Sequence, residues 1–138
     1  MRTQDAQDLF DLYRNAARLS RSMVGLADRV LPDGVAMSRF ELLDHLASEN
    51  PSVSPLQLAE GLNLTPAAVT HLLKHLQRSG WLEITPDPDD GRAKRILLTD
   101  EGRTKHRECM IALSGLTTRK LSQLQSESVA NANATLLA

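Results

Sequence analysis

The chain contains one cysteine, Cys109, so it cannot close an internal disulfide, and the disulfide-stapled scaffolds of small secreted proteins are excluded. Aromatic residues make up only 3% of the sequence. Binders of single strands and of RNA stack bases on aromatic platforms, so that class is disfavoured. No apolar run approaches the roughly 18–20 residues that span a bilayer. The polar, acidic start MRTQDAQDLFDLYRNAA lacks the apolar stretch of a secretory signal. These absences predict a cytoplasmic protein with no membrane association. A glycine-rich phosphate loop and a nucleophile elbow are both missing, so no enzyme activity is expected. His71 and His75 stand four apart, but Leu72 and Leu73 lie between them, with no Glu where a metalloprotease helix needs one. His45 and His106 have no evident third ligand, so neither a metal nor a cofactor is expected. Cys109 beside Met110 reads as a small buried hydrophobe, and Lys105 and Arg107 would activate its thiol only by approaching it.

What is present suits one globular domain: 138 residues, 41% hydrophobic and 24% charged. The net charge of −1 conceals an uneven distribution. Between Arg92 and Arg107 stand Arg92, Lys94, Arg95, Arg103, Lys105 and Arg107, opposed only by Asp100 and Glu101. A local basic patch on a near-neutral chain suits a protein that binds nucleic acid and must release it.

Helical periodicity begins at Gln4 and runs to Val30. Leu9, Ala16, Met23 and Val30 recur every seven residues, with Leu12, Leu19 and Leu26 three after the first three. This a/d pattern predicts an apolar dimer seam along a helix of about 40 Å, the alternative being a core helix of a monomer. Leu31-Pro32-Asp33-Gly34 ends it. Ser38 and Glu41 are spaced as a capping box opening a second helix, whose buried stripe is Phe40, Leu43, Leu46 and Ala47, broken at Asn50-Pro51-Ser52. Ser54-Pro55-Leu56-Gln57 opens a third helix that stops at Gly61. Thr65 and Pro66 then cap a fourth, ending at Gly80. Two capped helices joined by a tight turn form a helix-turn-helix.

On the fourth helix Val69, Leu72, Leu73 and Leu76 face inward. The outer face then carries Ala67, His71, Lys74 and Arg78, flanked by Thr70 and His75. Small residues at its start permit close approach to DNA and donors further along reach bases or phosphates, although Lys74 and Arg78 also suit a solvated face. A hairpin follows, Trp81–Thr85 and Ala93–Leu98 around a turn-rich tip from Pro86 to Gly91. Thr99 caps a fifth helix running to about Gln125 with Met110, Leu113, Thr117, Leu121 and Leu124 at helical spacing. A short final helix is expected over Glu127–Leu137.

This order of elements resembles the MarR-type winged-helix regulators over essentially the whole chain. The resemblance is sharpest from Leu56 to Glu60 through Arg78-Ser79-Gly80-Trp81-Leu82, and in Asp87-Pro88-Asp89-Asp90-Gly91-Arg92 followed by Leu98-Thr99-Asp100-Glu101-Gly102. It implies a mainly α fold with a small β-hairpin wing: a single winged-helix domain over 1–138, with a DNA-binding winged helix-turn-helix at 38–102 and dimerisation helices at 1–31 and 104–138. It further implies that the fourth helix enters the major groove and that Arg92, supported by Asp90, enters the minor groove, where a narrow groove attracts a guanidinium. The resulting DNA-binding set is Thr65, Ala67, Thr70, His71, Lys74, Arg78, Arg92, Lys94 and Arg95. The dimerisation set is Leu9, Leu12, Ala16, Leu19, Met23, Leu26, Leu113 and Leu121. The implied partners are a pseudo-palindromic double-stranded operator, a second copy of the chain, and a small aromatic or phenolic effector that releases a repressor. The alternative is a winged-helix protein-interaction module without DNA affinity. Members of the family often carry Arg at the place of His71 and a basic residue at the place of Ile84, so here one donor is weaker and one charge is lost.

Overall fold

The computed structural model describes residues 3–48 and 53–121, with side chains through Leu116. Seven elements follow in order: α1 (Thr3–Val30), α2 (Met37–Ser48), α3 (Pro55–Gly61), α4 (Pro66–Arg78), β1 (Leu82–Pro86), β2 (Lys94–Leu98) and α5 (Asp100–Leu121). The fold is mainly α with one antiparallel hairpin, in agreement with the expected class. The expected break at 50–52, Leu124 and the final helix at 127–137 lie outside the described residues, as do the side chains of Thr117 and Leu121.

The α1 helix runs 28 residues because nothing inside it interrupts the ladder. Leu31 N still donates to Ala27 O at 2.9 Å, and Pro32, with no N–H to give, ends the pattern. The next helix starts differently from expectation. Met37 is already helical, which places Ser38 inside α2 rather than at its cap. The Asp28 carboxylate of α1 accepts from Met37 N at 2.7 Å, while Ala36 O accepts from both Arg39 N and Phe40 N. An ionised acceptor presented by a neighbouring helix has displaced the local Ser38–Glu41 capping box. The buried stripe is also wider than expected. Phe40, Leu42, Leu43 and Leu46 are all buried, Leu42 completely, because α2 packs against α1, α3, α4, α5 and β2 at once.

The other two helix starts form as read. Ser54 accepts from Gln57 N while Gln57 Oε1 accepts from Ser54 N, and Thr65 accepts from Ala68 N with Pro66 at the first helical position. In the turn between them Asn63 takes the left-handed conformation, φ 52°. Gly80, φ +75°, ends α4 where a side chain would be strained. The β-ladder pairs Leu82 with Leu98, Ile84 with Ile96 and Pro86 with Lys94, beginning one residue later on each strand than expected. An isolated bridge from Val53 to Ile96 adds a third backbone to the sheet.

Two clusters form the core. Leu42, Leu43, Leu46, Val53, Leu58, Val69, Leu73, Leu76, Leu82 and Ile96 hold the helix-turn-helix to the wing, and Ala27, Leu31, Val35, Phe40 and Cys109 hold α1, α2 and α5 together. Trp81 packs against both. Between the clusters Thr99 ties three segments: its N donates to Trp81 O at 3.1 Å, its hydroxyl donates to Gly80 O at 2.7 Å, and its oxygen accepts from Gly102 N at 3.0 Å. Along the long helices, by contrast, apolar surface is left uncovered. Leu9, Leu12 and Leu19 of α1 are 61%, 42% and 64% exposed, and Phe10, Tyr13, Met110 and Ile111 are exposed as well. Ala16, Met23 and Leu26 are partly covered, and Leu113 leans on the chain's own second cluster.

Candidate nucleic-acid interface

The inward stripe of α4 fixes what points outward. Val69, Leu73 and Leu76 are buried, which leaves Ala67, Thr70, His71, Lys74 and Arg78 exposed along one side, beside the Thr65 cap. Two hydroxyls on this face already hold backbone partners: Thr65 Oγ1 accepts from Ala68 N at 3.2 Å and Thr70 Oγ1 donates to Pro66 O at 2.9 Å. Among the described residues His71, Lys74 and Arg78 make no ion pair. His75 sits apart from them, half-buried, with Nδ1 enclosed and unpartnered. His71 and His75 therefore do not present a matched pair of ligands, and no three His, Cys, Asp or Glu side chains converge among the described residues.

The wing stands beside this face. Gln77 of α4 lines a groove of about 380 Å³ with Ile84, Thr85, Pro86, Gly91, Arg92, Ala93 and Lys94 of the hairpin. Gln77 is outside the expected DNA-binding set, although it lies three residues after Lys74 and so one turn further along the outer face. Arg92 and Lys94 are exposed and unpaired among the described residues. Asp90 supports Arg92 through the backbone rather than through the guanidinium: Asp90 Oδ1 accepts from Arg92 N at 3.0 Å, an Asx turn that sets the chain direction at the tip. The support implied for Arg92 thus comes through its backbone, because a spacing of two residues favours the short loop from carboxylate to backbone N–H.

Arg95 departs further from the expected picture. It does not line the groove and is 31% exposed, with Nε 3.4 Å from Asp87 Oδ2 and Nη2 3.5 Å from Asp89 Oδ2. The Nε contact is an ion pair without hydrogen-bond alignment, and that nitrogen has no hydrogen-bond partner. The Asp87 carboxyl is held below the usual carboxylate range, chiefly by the backbone N–H of Asp89; desolvation opposes this, and Arg95 adds further lowering.

Behind the interface, α5 meets α2 through His106, whose Nε2 lies 2.8 Å from Asp44 Oδ1 and whose ring stacks on Phe40 at 5.9 Å. One turn further along, Cys109 is fully buried, and burial pushes its thiol pKa up, with Lys105 opposing only partly. The basic neighbours thus do not activate it. Peroxide treatment is expected to leave DNA affinity the same in wild type and Cys109→Ser. Peroxide-induced release in wild type alone, followed by gel shift, would overturn that expectation. No helix among the described residues is long and apolar enough to cross a membrane.

Comparisons with known proteins agree on one family. Residues 33–93 match the sequence profile of the MarR family. The chain is 36% identical over 72 residues to the uncharacterised HTH-type transcriptional regulator YdgJ of Bacillus subtilis, covering 52% of this chain but only 43% of that relative. It is 26% identical over 111 residues to the multiple antibiotic resistance protein MarR of Salmonella typhimurium, covering 77% of this chain and 76% of that one. A MarR variant from E. coli, solved in complex with operator DNA, superposes with a TM-score of 0.81 at 23% identity, covering 94% of this chain and 93% of the other. The PcaV transcriptional regulator from Streptomyces coelicolor, solved with its natural ligand, gives 0.78 at 24% identity, covering 88% and 85%. Residues 33–93 thus match the MarR family of transcriptional regulators, and the chain as a whole shares the winged-helix architecture of solved regulators of that family.

Proposed function

We propose that the chain is a homodimeric, sequence-specific repressor that holds a pseudo-palindromic duplex operator and releases it when a small aromatic or phenolic effector binds. The observation that carries this reading is the set of exposed basic side chains, unpaired among the described residues, on two neighbouring elements: His71, Lys74 and Arg78 along α4, and Arg92 and Lys94 on the wing, whose groove is closed on the α4 side by Gln77. Guanidinium and ammonium groups left without carboxylate partners are available to phosphates. With Ala67 and Thr65 at the tip of α4, the helix can approach base edges in a major groove while Arg92 reaches the adjacent minor groove. Thr70 has its proton committed to Pro66 O, so it offers lone pairs to a base donor. The uncovered apolar surface of α1 and α5 supports pairing of two copies through Leu9, Leu12, Ala16, Leu19, Met23 and Leu26. Leu121 belongs to that proposed seam by its spacing, and Leu113 reaches it only partly, being engaged with the chain's own core. Two-fold symmetry then sets half-sites about 34–36 Å apart. Such a regulator works in the cytoplasm, where its DNA is. The effector is supported by the complex of PcaV with its natural ligand.

The test compares Arg92→Ala with His71→Ala in binding isotherms over a salt series. Arg92→Ala is expected to weaken selected and scrambled duplexes alike and to lower the salt slope by about one. His71→Ala should instead flatten the preference among operator variants by roughly 1–3 kcal/mol at one position. No binding of wild type to any duplex at low salt would overturn the reading and favour a protein-interaction module.

A further inference from the structure

The wing presents two kinds of cation. Arg92 and Lys94 line the groove beside α4, whereas Arg95 is absent from that lining. Alternation along β2 explains the split: Lys94 and Ile96 share one side of the strand, and Arg95 lies on the other. On that other side Arg95 meets Asp87 and Asp89, the two acids that begin the tip. Asp87 is used twice, its Oδ2 facing Arg95 and its Oδ1 accepting from Asp89 N at 2.8 Å. From there a continuous set of bonds runs to Arg92. Asp87 N donates to Ala93 O at 2.9 Å, Ala93 N donates to Asp90 O at 2.9 Å, and Asp90 Oδ1 takes Arg92 N. Arg95 is therefore tied to the acidic end of the loop whose other end carries Arg92.

We propose that Arg95 is a positioning residue rather than a phosphate contact: it braces Asp87 and Asp89 so that the 87–93 loop presents Arg92 to DNA. This rests on the DNA-binding reading above and assigns Arg95 a different role from the one its charge suggested in the sequence. A planar guanidinium serves here because it reaches two carboxylates with different nitrogens, which an ammonium point charge on a flexible stem does not reproduce. Each contact is long and partly solvated, so the brace orders the loop rather than adding much to global stability.

The experiment uses full-length protein and a duplex selected by the protein itself from a randomised pool, with a scrambled duplex alongside. Arg95→Met is expected to weaken the selected duplex by about three- to tenfold, the cost of ordering one long side chain otherwise held in place, with the salt slope unchanged. Arg95→Lys should behave like Arg95→Met. In an Arg92→Ala background Arg95→Met should have little further effect, since what it positions is gone. Circular dichroism and thermal melting of each variant establish that it folds, and Arg95→Lys supplies the comparison if Arg95→Met does not. The proposal is overturned if Arg95→Lys matches wild type, if Arg95→Met lowers the salt slope by about one, or if its effect adds fully to that of Arg92→Ala. Failure of wild type to bind either duplex would instead remove the DNA-binding reading, a separate outcome.

Discussion

Gly102→Ala is expected to be among the most destabilising single substitutions in the chain. A Cβ built at Gly102 lies 1.9 Å from the Trp81 carbonyl oxygen and 3.1 Å from Leu98 Cδ2. The first neighbour is backbone and is itself bonded to Thr99 N, so it cannot swing away as the end of a side chain would. Alanine favours a helix over glycine by about 1 kcal/mol, but forcing a methyl into packed backbone costs about 1–3 kcal/mol and at times more. At 1.9 Å the steric cost wins. With the steric cost at the upper end of that range, we expect a net loss of about 2 kcal/mol, lowering the melting temperature by roughly 4 °C per kcal/mol. Gly91→Ala is the control, since nothing lies within 4 Å of that Cβ and its φ carries no penalty. Equal melting temperatures for Gly102→Ala and wild type would refute this account of the Leu98-Thr99-x-x-Gly102 junction.

Leu19→Glu should separate the proposed dimer while leaving each protomer folded. Leu19 is 64% exposed on the single chain, so a carboxylate there is solvated and costs the monomer little. In a seam between two copies the same charge is buried without a partner, at about 3–5 kcal/mol, which is a factor of roughly 100 to several thousand in the dimer constant. Sedimentation velocity at micromolar concentration reads the difference, and far-ultraviolet circular dichroism checks the helices. A wild-type monomer at that concentration would refute the homodimer, and a Leu19→Glu dimer as tight as wild type would move the seam elsewhere on α1.

What the chain order reveals depends on how far each bond reaches. The caps at Ser54 and Thr65 were legible because donor and acceptor stand three residues apart. Ser38 had the same local signature and lost to Asp28, whose advantage exists only once α1 has folded back alongside α2. The outer face of α4 followed from periodicity, with Gln77 passed over because its neighbours across the groove come from the hairpin. Arg95 was read as a DNA cation because charge is visible in a sequence and the side of a strand is not. Its register opposite Thr85 and its acids at the tip emerge only after β1 and β2 pair. Leu42 similarly fell outside a one-sided helical stripe because α2 is surrounded.

Trp81, packed against both core clusters and with Lys105 Nζ 5.7 Å from its ring centroid, is the chain's one tryptophan. Ultraviolet emission from this protein therefore originates almost wholly at the seam between the helix-turn-helix cluster and the cluster that joins α1, α2 and α5. If the two parts shear or rotate against each other, the indole exchanges neighbours and its charged companion shifts, changing colour and yield together. The molecule thus carries its own optical strain gauge at the junction of its two core clusters.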